Sequence, residues 1–135
     1  MRILIAEDDH NSRFVLKKFV DAHGECDTAV DGEDALQKYN QSLESNNPYQ
    51  LIFLDIMMPK YSGLEVMEQI RNRELAEGRV GIGSVNIVMT TALDDEQKIF
   101  DAHVSGCVNY LIKPLSRNAV VEQIKLVAQN LADQA

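Results

Sequence analysis

The sequence predicts one α/β unit, a parallel sheet covered by helices on both faces, on three observations. Short β-rich apolar runs alternate with segments of helical period, and five such units can be counted along the 135 residues. Three of the runs end on charge: Ile3-Leu4-Ile5-Ala6 passes into Glu7-Asp8-Asp9, Leu51-Ile52-Phe53-Leu54 into Asp55, and Val108-Asn109-Tyr110-Leu111-Ile112 into Lys113-Pro114. With 45% hydrophobic residues, the chain is also large and apolar enough to bury a real core.

The elements follow in order. Arg2 to Ala6 is the first strand, and a helix from about Asn11 to His23 presents Phe14, Val15, Phe19 and Val20 on one face, with Gly24 as its stop. Cys26 to Val30 is a short second strand. Asp31-Gly32-Glu33-Asp34 places acids where a helix dipole favours them, Ala35, Leu36, Tyr39 and Leu43 supply the apolar positions, and Asn46-Asn47-Pro48 ends the helix. Leu51 to Leu54 is the third strand. The third helix runs from Leu64 to about Ala76 and buries Leu64, Met67 and Ile70; Val85 to Met89 is the fourth strand. Between them, residues 77–84 hold three glycines and read as a surface loop. Asp94-Asp95-Glu96 opens a fourth helix reaching roughly Ser105, Val108 to Ile112 is the fifth strand, and Ser116 caps a last helix through Ile124, Val127 and Leu131. The expectation is one domain over 1–135, its core at about 2–132, with no separate output domain.

Bulk properties narrow the function. A net charge of -8 argues against direct nucleic-acid binding, because phosphate backbones attract clustered Lys and Arg. Cys26 and Cys107 lack metal-ligand spacing and are too few for a disulfide scaffold, so they read as reduced, core-lining thiols of a cytoplasmic protein. No apolar stretch approaches the roughly 20 residues of a membrane span. His10, His23 and His103 are scattered and read as surface residues.

In an open parallel sheet, ligands gather at the C-terminal ends of the strands. Asp55, the acids after the first strand and Lys113 therefore converge on one rim, a pocket suited to a divalent cation and a phosphoryl group. Asp55 closes a run that reads as buried, and a carboxylate there is a candidate nucleophile once its charge is screened. Acids crowded within a few ångströms raise one another's pKa unless a hard ion such as Mg²⁺ is held among them.

These residues carry a resemblance. Glu7-Asp8 after the first strand, Asp55-Ile56-Met57-Met58-Pro59-Lys60-Tyr61-Ser62-Gly63 as D-x-x-M-P-x-x-x-G, Thr91-Ala92 after the fourth strand and Tyr110-Leu111-Ile112-Lys113-Pro114 occur in order over nearly the whole chain. Together they make the chain similar to the single-domain type of receiver domain in bacterial two-component response regulators. The resemblance implies a doubly wound, flavodoxin-like sheet of five strands flanked by five helices, and a phosphorylation switch. Asp55 matches the phosphoacceptor, Asp8 the direct ligand of Mg²⁺ (or Mn²⁺), Glu7 the acid acting through a metal-bound water, and Met57 the position whose backbone carbonyl completes the metal site. Asp9 reads instead as a helix-start charge. Lys113 matches the lysine that meets the phosphoryl group, ahead of a cis bond to Pro114. Thr91, rather than Thr90, matches the threonine that is drawn to the new phosphoryl group, and Tyr110 the aromatic that moves with it. Met57 and Leu93 match the positions flanking the path of a hydrolytic water, and both are apolar, implying a long-lived phosphoryl state.

The implied partners are a sensor histidine kinase or phosphotransfer protein and a downstream protein target met through the face of the fourth helix, fifth strand and fifth helix. A phosphorylation-dependent homodimer is compatible with that face. The chain is expected to catalyse only its own phosphorylation and dephosphorylation, and so not to be an enzyme acting on a separate substrate. Three other readings are weaker. A haloacid-dehalogenase-type phosphatase needs a second acid where Met57 stands, and a flavodoxin needs a hydroxyl- and glycine-rich loop where Glu7-Asp8-Asp9 would repel phosphate. The third, a phosphorylation-independent docking module, would leave the reactive positions idle.

Overall fold

The computed structural model describes residues 1–92, 97 and 106–134. Five strands, β1 (Arg2–Ala6), β2 (Glu25–Ala29), β3 (Leu51–Asp55), β4 (Asn86–Thr91) and β5 (Asn109–Ile112), form one parallel sheet in the order β2-β1-β3-β4-β5. Four α-helices are described: α1 (His10–Asp21), α2 (Gly32–Glu44), α3 (Gly63–Ala76) and α4 (Arg117–Gln134). The helix expected over residues 94–105 lies, but for residue 97, outside the described residues.

Alternation along buried strands builds two cores. Leu4, Ala6, Ile52, Leu54, Ile87 and Met89 face α2 and α3, where Ala35, Tyr39, Val66, Met67 and Ile70 meet them. Ile3, Ile5, Leu51, Phe53 and Val88 face the other way, onto Leu16 and Val20 of α1 and Val120, Ile124 and Val127 of α4. Because both faces of the inner strands are covered, their sequences are continuously apolar rather than alternating. The sheet is thus doubly wound, and the strand order reverses direction between β1 and β3, which opens a crevice at their C-terminal ends.

Local chemistry sets the helix ends. Asp31 caps α2 by accepting from the Asp34 amide at 2.8 Å, and Ser116 accepts from Ala119 at 3.1 Å ahead of α4. Ser62 and Glu65 form a reciprocal capping box at the start of α3. After α3, the Gly78 amide donates to Leu75 O and the Arg79 amide to Glu74 O, a Schellman motif that needs the positive φ of Gly78. Asn46 performs the same turn after α2, at φ 56, its amide donating to Leu43 O while Asn47 donates to Ser42 O.

Several expectations shift. The first helix ends at Asp21, and Gly24 serves close packing rather than a left-handed turn: a Cβ there would lie 2.6 Å from Met1 O. Its buried stripe is Leu16 and Val20, whereas Phe14 is 56% exposed and Val15 is also exposed. The entry of the chain from β1 through the Asp9 cap rotates α1 so that positions 16 and 20, one turn apart, meet the sheet. In α3, Val66 and Glu74 join Met67 and Ile70 in the buried stripe, while Leu64 is only half-buried. The fourth strand runs on through Thr90 and Thr91, because Asp55 and Ile112 offer them partners on either side. Residues 81–83 form a short 3₁₀ turn within the expected loop.

Candidate functional site

Three strand ends deliver the site. Glu7 follows Ala6, which pairs in register with Leu54; Asp55 is the next residue and pairs with Thr90; Lys113 follows Ile112, which pairs with Thr91. Backbone bonds seal this level of the sheet: the Ile56 amide donates to Thr90 O at 3.0 Å and the Lys113 amide to Thr91 O at 2.8 Å. The chain leaving β3 is pinned as well. The Gly63 amide donates to Ile56 O at 2.8 Å, and a Cβ on Gly63 would lie 2.2 Å from Asp55 O, so only glycine lets α3 start this close to the acid.

The structure brings Glu7, Asp8 and Asp55 together, with one carboxylate oxygen from each lying within 4.8 Å of the others. Glu7 and Asp55 are buried and Asp8 is exposed. The Lys113 ammonium reaches into the cluster, 2.7 Å from Glu7 Oε1 and 3.3 Å from Asp55 Oδ2, and the Lys113–Pro114 bond is cis. Met57 stands at the rim, its side chain 56% exposed and its amide donating to Asp55 Oδ1 at 3.2 Å. Asp9 turns away as the cap of α1, accepting from the Ser12 amide at 2.8 Å.

The electrostatics of this cluster are set by two buried carboxyls that share a hydrogen bond. Burial, reinforced by the bond to Glu7 and its charge, pushes the Asp55 carboxyl up to about 8, against the pull of Lys113. For Glu7, burial also favours protonation, but the bond to Asp55 and the bond and charge of Lys113 outweigh it and hold this carboxyl below its ordinary value. The two carboxyls titrate as a coupled pair, with burial favouring the protonated form at Asp55. Lys113 loses stability to burial but gains more from the two acids, and stays firmly cationic. A set of hard oxygen donors, one of them carrying a proton it would release to a cation, fits Mg²⁺.

The switch positions are placed nearby. Thr91 is buried, and among the described residues its hydroxyl donates a long bond, 3.3 Å, to Ala92 O. Thr90, next to it, is also buried. Tyr110 is half-buried against the core that holds Met89, its register partner on β4. Leu93 lies outside the described residues. Both cysteines are free thiols, half-buried, and burial pushes Cys26 up to about 11. His10 and His23 are exposed, and His103 is outside the described residues. Among the described residues no helix is long and apolar enough to cross a membrane.

Arg13 escapes a reading of the sequence alone. It stands one turn into α1, and its Nη1 donates back to Glu7 O at 2.9 Å and Asp8 O at 3.4 Å, while Nη2 lies 3.2 Å from His10 Nδ1. The available signal is its helical spacing from the acidic turn, which reads equally well as a solvated surface charge. Beside Lys113 a cleft of about 500 Å³ opens between α1 and the Lys113-Pro114-Leu115 turn, with Val15 and Leu16 on its wall.

Comparison with known proteins agrees with this geometry. Residues 3–125 match the family model described as response regulator receiver domain. The chain is 31% identical over 131 residues to the chemotaxis protein CheY of Treponema pallidum, covering 81% of that protein. It is 37% identical over 133 residues to hybrid signal transduction histidine kinase L of Dictyostelium discoideum, but spans only 7% of its length. Among solved structures it superposes on the N-terminal domain of an uncharacterized protein from Wolinella succinogenes with a TM-score of 0.82 at 24% identity, covering 100% of this chain and 99% of that one. The match of residues 3–125 to this family model shows that the chain belongs to the response regulator receiver domains.

Proposed function

We propose that the protein is a phosphorylation-dependent signalling switch that accepts a phosphoryl group on Asp55 from a histidine kinase or phosphotransfer protein. The observation that carries this reading is the meeting of Glu7, Asp8 and Asp55 oxygens within 4.8 Å, with the Lys113 ammonium 3.3 Å from Asp55. Burial and the neighbouring Glu7 favour the protonated form of Asp55, so added positive charge would favour its nucleophilic form. Asp8, Asp55 and the Met57 carbonyl would hold Mg²⁺ (or Mn²⁺) directly and Glu7 through water, and the ion would supply screening for the carboxylates and the incoming phosphoryl oxygens.

Once deprotonated, a carboxylate oxygen of Asp55 attacks phosphorus. The bond from phosphorus to the donor's imidazole nitrogen breaks, and the donor histidine keeps the electron pair. Lys113 meets the negative charge gathering on the phosphoryl oxygens. Thr91 then turns its weakly held hydroxyl to the new group, and Tyr110 follows along β5, reshaping the surface that a downstream protein or a second copy reads. The chain promotes its own phosphorylation and dephosphorylation and turns over no separate substrate.

Intact mass after incubation with Mg²⁺ and acetyl phosphate tests the reading. A single base-labile phosphoryl adduct on wild type and none on Asp55→Asn is the expected result. Folded wild-type protein that takes up no phosphoryl group would instead favour a docking module that works without phosphorylation.

A further inference from the structure

We infer that Arg13 is a positioning residue for the cation site: its guanidinium holds the turn between β1 and α1, and with it Asp8, in the arrangement that receives the ion. This rests on the cation-dependent reading above. The turn is three residues long, Glu7 to Asp9, and carries two of the three acids. Its amides are held by the fold, Glu7 N donating to Ala29 O at 3.1 Å and Asp9 N to Glu7 Oε2 at 3.5 Å. Its carbonyls are held by Arg13, at 2.9 Å for Glu7 and 3.4 Å for Asp8.

Electrostatics pulls both ways on a guanidinium there. The positive end of the α1 dipole and an ion bound at the site would repel it, whereas the neighbouring acids attract it. What it gains is bonding to two carbonyl oxygens, with His10 meeting its other arm at 3.2 Å. Nη1 set between both carbonyls, with Nη2 against His10, orders the backbone from which the exposed Asp8 side chain springs, so that ordering is not charged against ion binding. Lysine has one compact head and cannot meet the carbonyls and His10 together.

The two effects predict opposite signs. If positioning dominates, Arg13→Met weakens Mg²⁺ binding about five- to tenfold and Arg13→Lys about two- to threefold. If charge dominates, Arg13→Met binds Mg²⁺ more tightly and Arg13→Lys matches wild type. Calorimetric titration of the full chain with Mg²⁺ measures this directly. Hydrogen exchange of the metal-free protein adds a second readout, with the amides of residues 7–9 expected to exchange faster in Arg13→Met while those of β1 and β3 do not. In acetyl phosphate labelling the half-saturating Mg²⁺ concentration should rise while the rate at saturating Mg²⁺ stays within about twofold of wild type. Should Arg13→Met not fold, Arg13→Lys decides alone. Wild-type affinity in a folded variant overturns the inference and leaves the functional reading standing; a wild type that binds no Mg²⁺ overturns both.

Discussion

Lys113 and Glu7 are 106 residues apart in the chain and 2.7 Å apart in the fold, and Lys113 Nζ also lies 3.3 Å from Asp55. One ammonium thus compensates two buried carboxyls. Replacing it by Met leaves them facing each other with no cation. In EDTA at pH 7, Lys113→Met is expected to lose about 1–3 kcal/mol of stability by urea unfolding, a range set by the partial exposure of the lysine. Mg²⁺ should restore part of the loss, and a penalty that Mg²⁺ leaves unchanged would argue against a shared charge site.

The raised carboxyl of Asp55 makes metal-free stability depend on pH. Its folded pKa of about 8 exceeds the ordinary carboxyl value of 3.8, so between these limits the folded state binds more protons than the unfolded state. Stability from this group is full below the lower limit and falls as pH rises to about 8, at most by about 1.4 kcal/mol per pH unit. Glu7, held below its ordinary value, acts in the opposite sense and only at acid pH. Thermal melts in EDTA from pH 5 to 9 should show a decline for wild type and a flatter profile for Asp55→Asn. Equal slopes for the two would refute the assignment of the proton to Asp55.

Two glycines separate crowding from backbone strain. A Cβ at Gly63 would meet only backbone, at 2.2 Å from Asp55 O and 2.9 Å from Ile56 Cα, so Gly63→Ala must push α3 off the strand end and should cost about 2–3 kcal/mol. At Gly78 nothing lies within 4 Å, and Gly78→Ala suffers only from φ +72, at about 1 kcal/mol. Urea unfolding ranks them, and Mg²⁺ affinity should fall for Gly63→Ala alone.

Glu74 is 2% exposed, 2.7 Å from Arg71 Nη1, and accepts from the Val85 amide at 2.6 Å. Arg71 continues the brace to Val85 O and Gly106 O, tying α3 to the start of β4 and the approach to β5. Glu74→Ala strands the buried Val85 amide and takes the carboxylate from Arg71 and should cost about 2–4 kcal/mol, whereas Glu74→Gln keeps an acceptor and should cost about half as much. Equal losses for the two would mean that the carboxylate's charge, not the bond to Val85, is what matters there.

The strands were legible because burial on both faces leaves continuous apolar runs, and Leu51 to Leu54 could hardly be read otherwise. The Ser116 cap was legible for a local reason, since it satisfies an amide only three residues on, whereas Asp31 reads in the sequence only as a helix-start charge and proves to cap α2. Helix faces were harder. Of the expected face of α1, Val20 is buried and Phe19 packs against the core, but Phe14 and Val15 are exposed and Leu16 is buried in their stead, because the angle at which α1 docks is set by the sheet and α4. Glu74 shows the same limit, since a charge enters the buried stripe only where a distant amide and arginine await it.

By itself the sequence determined the α/β class, the succession of elements and the charged residues at the strand ends, all of which depend on periodicity and neighbours a few positions apart. Tertiary structure alone decided that Lys113 bridges Glu7 and Asp55, that burial raises the Asp55 carboxyl, and that Arg13 closes on the carbonyls of Glu7 and Asp8. Those outcomes depend on distances between separate segments and on the loss of water around them, quantities that exist only once β1, β3 and β5 lie side by side with their ends at one level.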